Sequence, residues 1–281
     1  EFFNSNEFLE VETPTLHPIL GGANAKPFVT HYNALDNDFY LRIAPELYLK
    51  KLIIGGIDRV FEIGKNFRNE GIDKNHVPEF TGLEAYMAYG DYNDMAVLMS
   101  NLLRHVVTKV FGTEKITLND HEIDFSKPFP KVSIIDLIKR ETGADFLSVE
   151  TVEEARELAK SVGVETEHCA NWGKVVQEVF DEKVEHTLIE PILVSDMPKE
   201  ITALAKTHRD NSRLVEHFDL YLLGTELGCA YSELSNPLEQ LERFKDQMKA
   251  REAGDDEAQM LDESFIDVTK YLKLYKKKIK F

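Results

Sequence analysis

Apolar positions change their spacing several times along the chain. Over residues 7–125 short apolar runs alternate with turn signals, and "FYLRI" (39–43) and "RVFEI" (59–63) have the composition of strands. The spacing lengthens over residues 91–111. There Met95, Leu98, Met99, Leu102, Leu103, Val106, Val107 and Val110 recur at helical intervals, with Asp91 as cap and Gly112 as stop. "KITLNDHEIDF" (115–125) reads as a hairpin turning at Asn119 and Asp120. Residues 132–188 read as helix-rich: Thr151 and Glu154 form a capping box, Ala155, Leu158 and Val162 give the stripe, and Gly163 ends it. A second helix is expected over about 172–188. "HFDLYLLGTELGCAYSEL" then returns to strand character. Asn236 and Pro237 open a last helix, with Leu238, Leu241, Phe244 and Met248 on one face and an end near Gly254. Strands, a helix, a helical insertion and strands again indicate an α+β fold with a mostly antiparallel sheet.

The polar positions sharpen this picture at "FRNEGIDKNHVPEF" (67–80). Counting by twos along the two flanking strands, Glu62, Gly64, Asn66, Arg68 and Glu70 share a face, and Phe80, Gly82, Glu84, Tyr86 and Ala88 share one on the return. The opposite face, with Phe61, Ile63, Phe67, Leu83, Ala85 and Met87, is expected to be apolar throughout. An antiparallel sheet with one solvated face also alternates. Three carboxylates, an arginine and glycines are instead what a concave polar site carries. Arg68 offers a planar fork of donors to phosphate or carboxylate. Glu84 and Tyr86 can accept from an ammonium, Phe80 offers a flat face to a ring, and the loop 71–79 can close over a ligand.

A second acidic set, Asp219, Glu226 and Glu233, is spaced by seven residues. Carboxylates on adjacent strands can hold Mg2+. Strict alternation puts Glu226 on the opposite face from Asp219 and Glu233, so a turn or bulge near residues 224–228 is required.

Composition narrows the function classes. The chain has 281 residues, 43% of them hydrophobic, which is enough for one large or two modest cores. A net charge of -17 gives no global attraction for nucleic acid. Two cysteines, Cys169 and Cys229, cannot build a disulfide framework or a zinc site, and they suggest a reduced, cytoplasmic protein. No apolar run approaches the ~18 residues that span a membrane. The start, "EFFNSNEFLE", is unlike a signal peptide and has no initiator Met, so the sequence reads as a piece of a longer chain.

Taken together, these segments resemble a known family. "FLEVETPTL" (8–16) resembles motif 1 of the class II aminoacyl-tRNA synthetases, with Pro14 as its proline, and "FEIGKNFRNEG" followed by "HVPEFTGLEAYMAY" resembles motif 2. "GGANAKPF", "YLRIAPELYLK", "EFTGLEAYMAYGDY" and "AGDDEA" are similar to the lysyl-tRNA synthetases of that class. The resemblance covers residues 8–267. It implies an antiparallel sheet flanked by helices, and four parts: residues 1–131 and 191–267 as catalytic core, 132–190 as a helical insertion, and 268–281 as a divergent basic tail. It implies activation of L-lysine with ATP and Mg2+, transfer to tRNA(Lys), and a homodimer. By the same resemblance Arg68 is the catalytic residue on the ATP α-phosphate, Glu70 and His76 seat ATP, and Phe80 stacks on adenine. Gly22, Glu46 and Glu84 hold the α-amino end of lysine, and Tyr86 and Glu233 its ε-ammonium. Cys229 lies beside the lysine, and Asp219 and Glu226 carry the metal.

The chain also departs from the pattern. After "DESFID" it runs into "VTKYLKLYKKKIKF", where the family has a third, glycine-rich motif with a second phosphate-binding arginine, and no anticodon-binding domain precedes motif 1. Cys229 stands where the family commonly has Asn, Asp219 where Glu is usual, and "ALAK" (203–206) where Ser-Pro-Leu is usual. Two other readings stay open: a lysyl-transferase paralogue that modifies a protein without tRNA, and a non-catalytic fragment that binds lysine or dimerises. The terminal lysines read as a solvated tail or a basic contact for nucleic acid.

Overall fold

A computed structural model describes residues 1–73, 76–252, 254 and 259–274, without the side chains of residues 250 and 271–274. The end of the basic tail (275–281) and most of "AGDDEA" lie outside the described residues. In chain order the elements are α1 (Phe2–Ser5), β1 (Leu9–Glu10), β2 (Leu16–His17), β3 (Val29–Tyr32), β4 (Asn37–Leu41), α2 (Glu46–Ile54), β5 (Arg59–Phe67) and β6 (Glu79–Met87). There follow α3 (Tyr92–Phe111), β7 (Lys115–Leu118), β8 (His121–Asp124), β9 (Lys131–Ser133), α4 (Ile134–Thr142), α5 (Val152–Ser161) and α6 (Trp172–Lys183). The last are β10 (Ile192–Ser195), β11 (His217–Leu222), β12 (Thr225–Tyr231), α7 (Pro237–Glu252) and α8 (Glu263–Leu274). The fold is α+β, with sheets that are mostly antiparallel; the β1–β5 and β9–β10 pairs are parallel. The chain divides into two compact units, Glu1–Tyr89 with Leu234–Phe281, and Gly90–Glu233.

In the first unit the β5–β6 hairpin is the central feature. Its register pairs Glu62 with Glu84, Gly64 with Gly82 and Asn66 with Phe80. The expected apolar face is apolar but not buried throughout. Phe61 is covered by Phe3, whose ring stacks on it at 4.8 Å, whereas Ile63 and Leu83 are 54% and 43% exposed. The α1–β1 segment reaches only the Arg59–Phe61 end of the hairpin, which is why cover stops there. Strand β4 begins two residues earlier than the pattern suggests and stops at Leu41. Arg42 leaves the ladder to form a buried ion pair with Glu62, and it also donates to Thr13 and to the Lys65 carbonyl. Glu62 is thus committed to the fold, not to a ligand. Gly64 is the residue that permits this: a Cβ there would lie 2.1 Å from Arg42 Nη2.

The second unit is built on the order β12-β11-β10-β9. Helix α3 packs Tyr92 and Ala96 against Phe218 and Leu220 on one side of that sheet. Its N-terminus carries the expected Asp91 cap, closed into a box by Asp94, and Gly112 ends it with φ 72°. The expected stripe is wider than the buried one: Val107 is buried, while Val106 and Val110 are exposed. On the other side lie α4, α5 and α6, whose Leu137, Ile138, Ala155, Val176 and Phe180 pack with Val194 and Tyr221. Each such fully buried Leu, Ile, Val or Phe contributes about 1.5–3 kcal/mol. The capping box at Thr151 and Glu154 forms as expected. Helix α6 is shorter than expected: it stops at Lys183, and a 3-10 turn (Glu185–Thr187) takes its place. In α7 the buried face runs through Gln240 and Phe244, and Leu238 is 58% exposed, contrary to its expected place on the inner stripe.

Candidate active site

The motif-2 hairpin delivers one group of side chains within the first unit. Strand β5 ends at Phe67, so Arg68 and Glu70 begin the connecting loop. Arg68 is anchored by its backbone N–H on the Pro78 carbonyl (2.9 Å), and its guanidinium lies over the Phe80 ring at 5.1 Å. Its Nε is buried without a hydrogen-bond partner. A buried orphan on an arginine is a costly feature, and an anionic ligand relieves it.

Glu84 sits on the same face of β6 and accepts a hydrogen bond from the Tyr86 hydroxyl at 3.0 Å. Burial pushes its carboxyl up to about 8, and the neighbouring charge of Glu46 pushes in the same direction; Tyr86, Lys50 and Arg68 pull against it. Glu46 and Lys50 form a buried i,i+4 ion pair on the first turns of α2. Lys50 Nζ also lies 6.0 Å from the Tyr86 ring centre. Gly22 completes this group. Its φ of 97° suits glycine, a Cβ there would lie 3.2 Å from Glu46 Cβ, and its N–H donates to the buried Gln259 side chain. Gly22, Glu46, Glu84, Tyr86, Arg68 and Phe80 therefore form one connected constellation, with a buried and a half-buried carboxyl beside a partly unpaired arginine.

Glu70 and His76 stand in the loop and not in that pocket. With Gly71, Ile72 and Asp73 they line a shallow recess of about 260 Å³, and His76 Nδ1 lies 2.8 Å from the Asp73 carboxylate. Lys74 and Asn75 lie outside the described residues.

The second unit holds the other expected residues. Asp219 on β11 is directly opposite Cys229 on β12, and His217 Nε2 lies 2.7 Å from Asp219 Oδ1. The register then shifts: Leu220 pairs with Gly228, but Tyr221 pairs with Glu226, so Leu227 is extra. This bulge is the one that alternation required. It turns Glu226 onto the face of Asp219 and Tyr221. Partial desolvation, with the Asp219 charge as the next cause, holds the Glu226 carboxyl above its ordinary value, although the residue is exposed. Glu233 lies past the end of β12, half-buried, in a bridge to Ala205.

The sequence from residue 1 to 274 matches the family model of class II tRNA synthetases (D, K and N). The chain belongs to the class II tRNA synthetases. Among relatives, it is 51% identical over 271 residues to a lysine–tRNA ligase of Clostridium novyi, covering 95% of this chain and 53% of that protein. It is 48% identical to the lysine–tRNA ligase of Carboxydothermus hydrogenoformans (96% and 56% covered). It is 51% identical to that of Thermoanaerobacter pseudethanolicus (95% and 54% covered). The chain thus spans about half the length of the curated relatives it matches.

For a class II synthetase, Asp219 and Glu226 are chemically suited to Mg2+, since both offer hard carboxylate oxygens from one face of a ladder. Three neighbours of the expected residues escaped sequence reasoning: Lys50, Gln259 and His217. Lys50 had a signal, its i,i+4 spacing from Glu46 on a helix. Gln259 had none, because it meets Gly22 across 237 residues of sequence.

Proposed function

We propose that this chain is the catalytic core of a lysine–tRNA ligase, which activates L-lysine with ATP and passes it to the 3′ end of tRNA(Lys). The single observation that carries this reading is the pair of neighbouring carboxyls Glu46 and Glu84 beside Arg68. The raised Glu84 carboxyl ionises when an ammonium arrives beside it, and the arginine selects the anion that reacts next to it.

In the first unit, Glu46 and Glu84 take the α-amino group of lysine, with the Gly22 turn leaving room for it, and Tyr86 faces the side-chain ammonium. Arg68 binds the α-phosphate through its unpaired donors and stabilises charge as the lysine carboxylate attacks phosphorus and pyrophosphate leaves. The carboxylate is already ionised, so no general base is needed, and the contribution of the protein is orientation and electrostatics. The exposed face of Phe80 receives adenine, while Glu70 and His76 hold the nucleotide from the loop. In the second unit, Asp219 and Glu226 would hold Mg2+. Mg2+ supplies charge neutralisation of the phosphates. The homodimer and the cytoplasmic location belong to the same proposal.

Lysine-dependent ATP–pyrophosphate exchange tests it. The expected result is exchange with L-lysine, lost by at least about 10²-fold in Arg68→Ala. Exchange that is equally fast without lysine, or that survives Arg68→Ala, would overturn the reading.

A further inference from the structure

The face of the β11–β12 ladder that carries Asp219 also carries donors that magnesium does not use. His217 precedes Asp219 by two residues and so shares its face; Cys229 is the cross-strand partner of Asp219 and shares it too. One ligand atom from each of the three lies within 4.8 Å of the others. The donors around a tetrahedral zinc-class ion are roughly 3.5 Å apart, given bonds of ~2.0–2.3 Å, so small side-chain rotations close the set. The His217 ring is held in plane by Tyr231, stacked at 5.4 Å and 15°. Its Nε2 meets Asp219, while Nδ1 is buried with no hydrogen-bond partner among the described residues. Nε2 is thus the nitrogen that the ring offers to the face shared with Asp219 and Cys229.

We propose that His217, Asp219 and Cys229 form a binding site for a thiophilic divalent transition-metal ion of the zinc class, with Glu226 as the fourth donor. Two cysteines alone cannot build a zinc site, but one thiolate, one imidazole and a carboxylate are a sufficient donor set. Binding replaces the His217–Asp219 hydrogen bond, and the Cys229 thiol loses its proton to solvent as the metal–sulfur bond forms. The two departures from the family pattern act together here: Cys229 for Asn supplies the sulfur, and Asp219 for Glu shortens the carboxylate to the reach of His217. The site shares Asp219 and Glu226 with the magnesium reading but does not depend on it, and a zinc-class ion there displaces Mg2+.

Cobalt(II) is the probe. The whole chain, kept reduced, is titrated with Co2+ while the thiolate-to-cobalt charge-transfer absorption is followed. The expected result is one equivalent bound with that absorption. Cys229→Ser abolishes it, and His217→Gln weakens binding at least about tenfold. It persists in Cys169→Ser and under excess Mg2+, and Zn2+ removes it. Cys169 is the necessary control, because His168, Cys169 and Glu178 form another such group among the described residues. Cys229 is exposed, so its replacement by serine does not threaten the fold. Absence of the absorption, its survival in Cys229→Ser, or its loss in Cys169→Ser overturns the proposal. A Co2+ ion bound without the thiolate absorption also overturns it, and leaves the magnesium reading of Asp219 and Glu226 standing. Lysine-dependent exchange, measured in Mg2+ alone, reports on that reading independently.

Discussion

Glu84 concentrates the chemistry of the first unit at one carboxyl. Its ordinary value near 4.5 is raised to about 8 by burial and by Glu46, so it is largely protonated at neutral pH in the unliganded chain. An ammonium in the pocket favours the ionised form. Lysine affinity should therefore rise from pH 6 to pH 8, by at most about tenfold per pH unit, and the slope should vanish in Glu84→Gln. Calorimetric titration across that range checks it. The same shift sets a stability trend. A carboxyl raised in the folded state contributes its full stability below about 4.5, and loses it as pH rises through about 8. The melting temperature of Glu84→Gln should accordingly gain on that of the unmodified chain between pH 5 and pH 8.5. Lys50 pairs with Glu46, and Lys50→Met breaks that buried ion pair and removes one of the two cations near Glu84. Thermal denaturation should show a loss of about 3 kcal/mol or more, as for a broken buried pair.

At the scale of elements, the hairpin and its supports can be tested through a glycine. Gly64→Ala places a methyl group against Arg42, which is already pinned by Glu62 and Thr13. It should cost about 3–5 kcal/mol in chemical denaturation, whereas Gly71→Ala, with nothing near its Cβ, should cost little. Much of this level was legible in the sequence because it depends on local rules. The Asp91 and Thr151 caps, the Asn119–Asp120 turn and the need for a bulge before Gly228 all follow from spacing within a few residues. The Glu62–Arg42 pair was not legible: alternation placed Glu62 on the polar face correctly, but only tertiary structure shows that this carboxylate is spent on an arginine 20 residues away. The exposed Ile63 and Leu83 show the same limit, since an apolar face in sequence does not say what covers it.

At the scale of the whole molecule, the family was carried by motifs and the chemistry by two constellations, each within its own unit. The net charge of -17 predicts that any contact of this chain with tRNA is local and weak, and that filter binding falls only shallowly with added salt, because few phosphates are neutralised. The central claim is that the chain recognises lysine by both of its ammonium groups. Calorimetric titration with L-lysine and with norleucine, which keeps the α-amino group but lacks the second ammonium, tests it most directly. The account predicts lysine binding that is on the order of 10²-fold tighter or more, because norleucine leaves desolvated polar groups unpaired. Equal affinity for the two would contradict it.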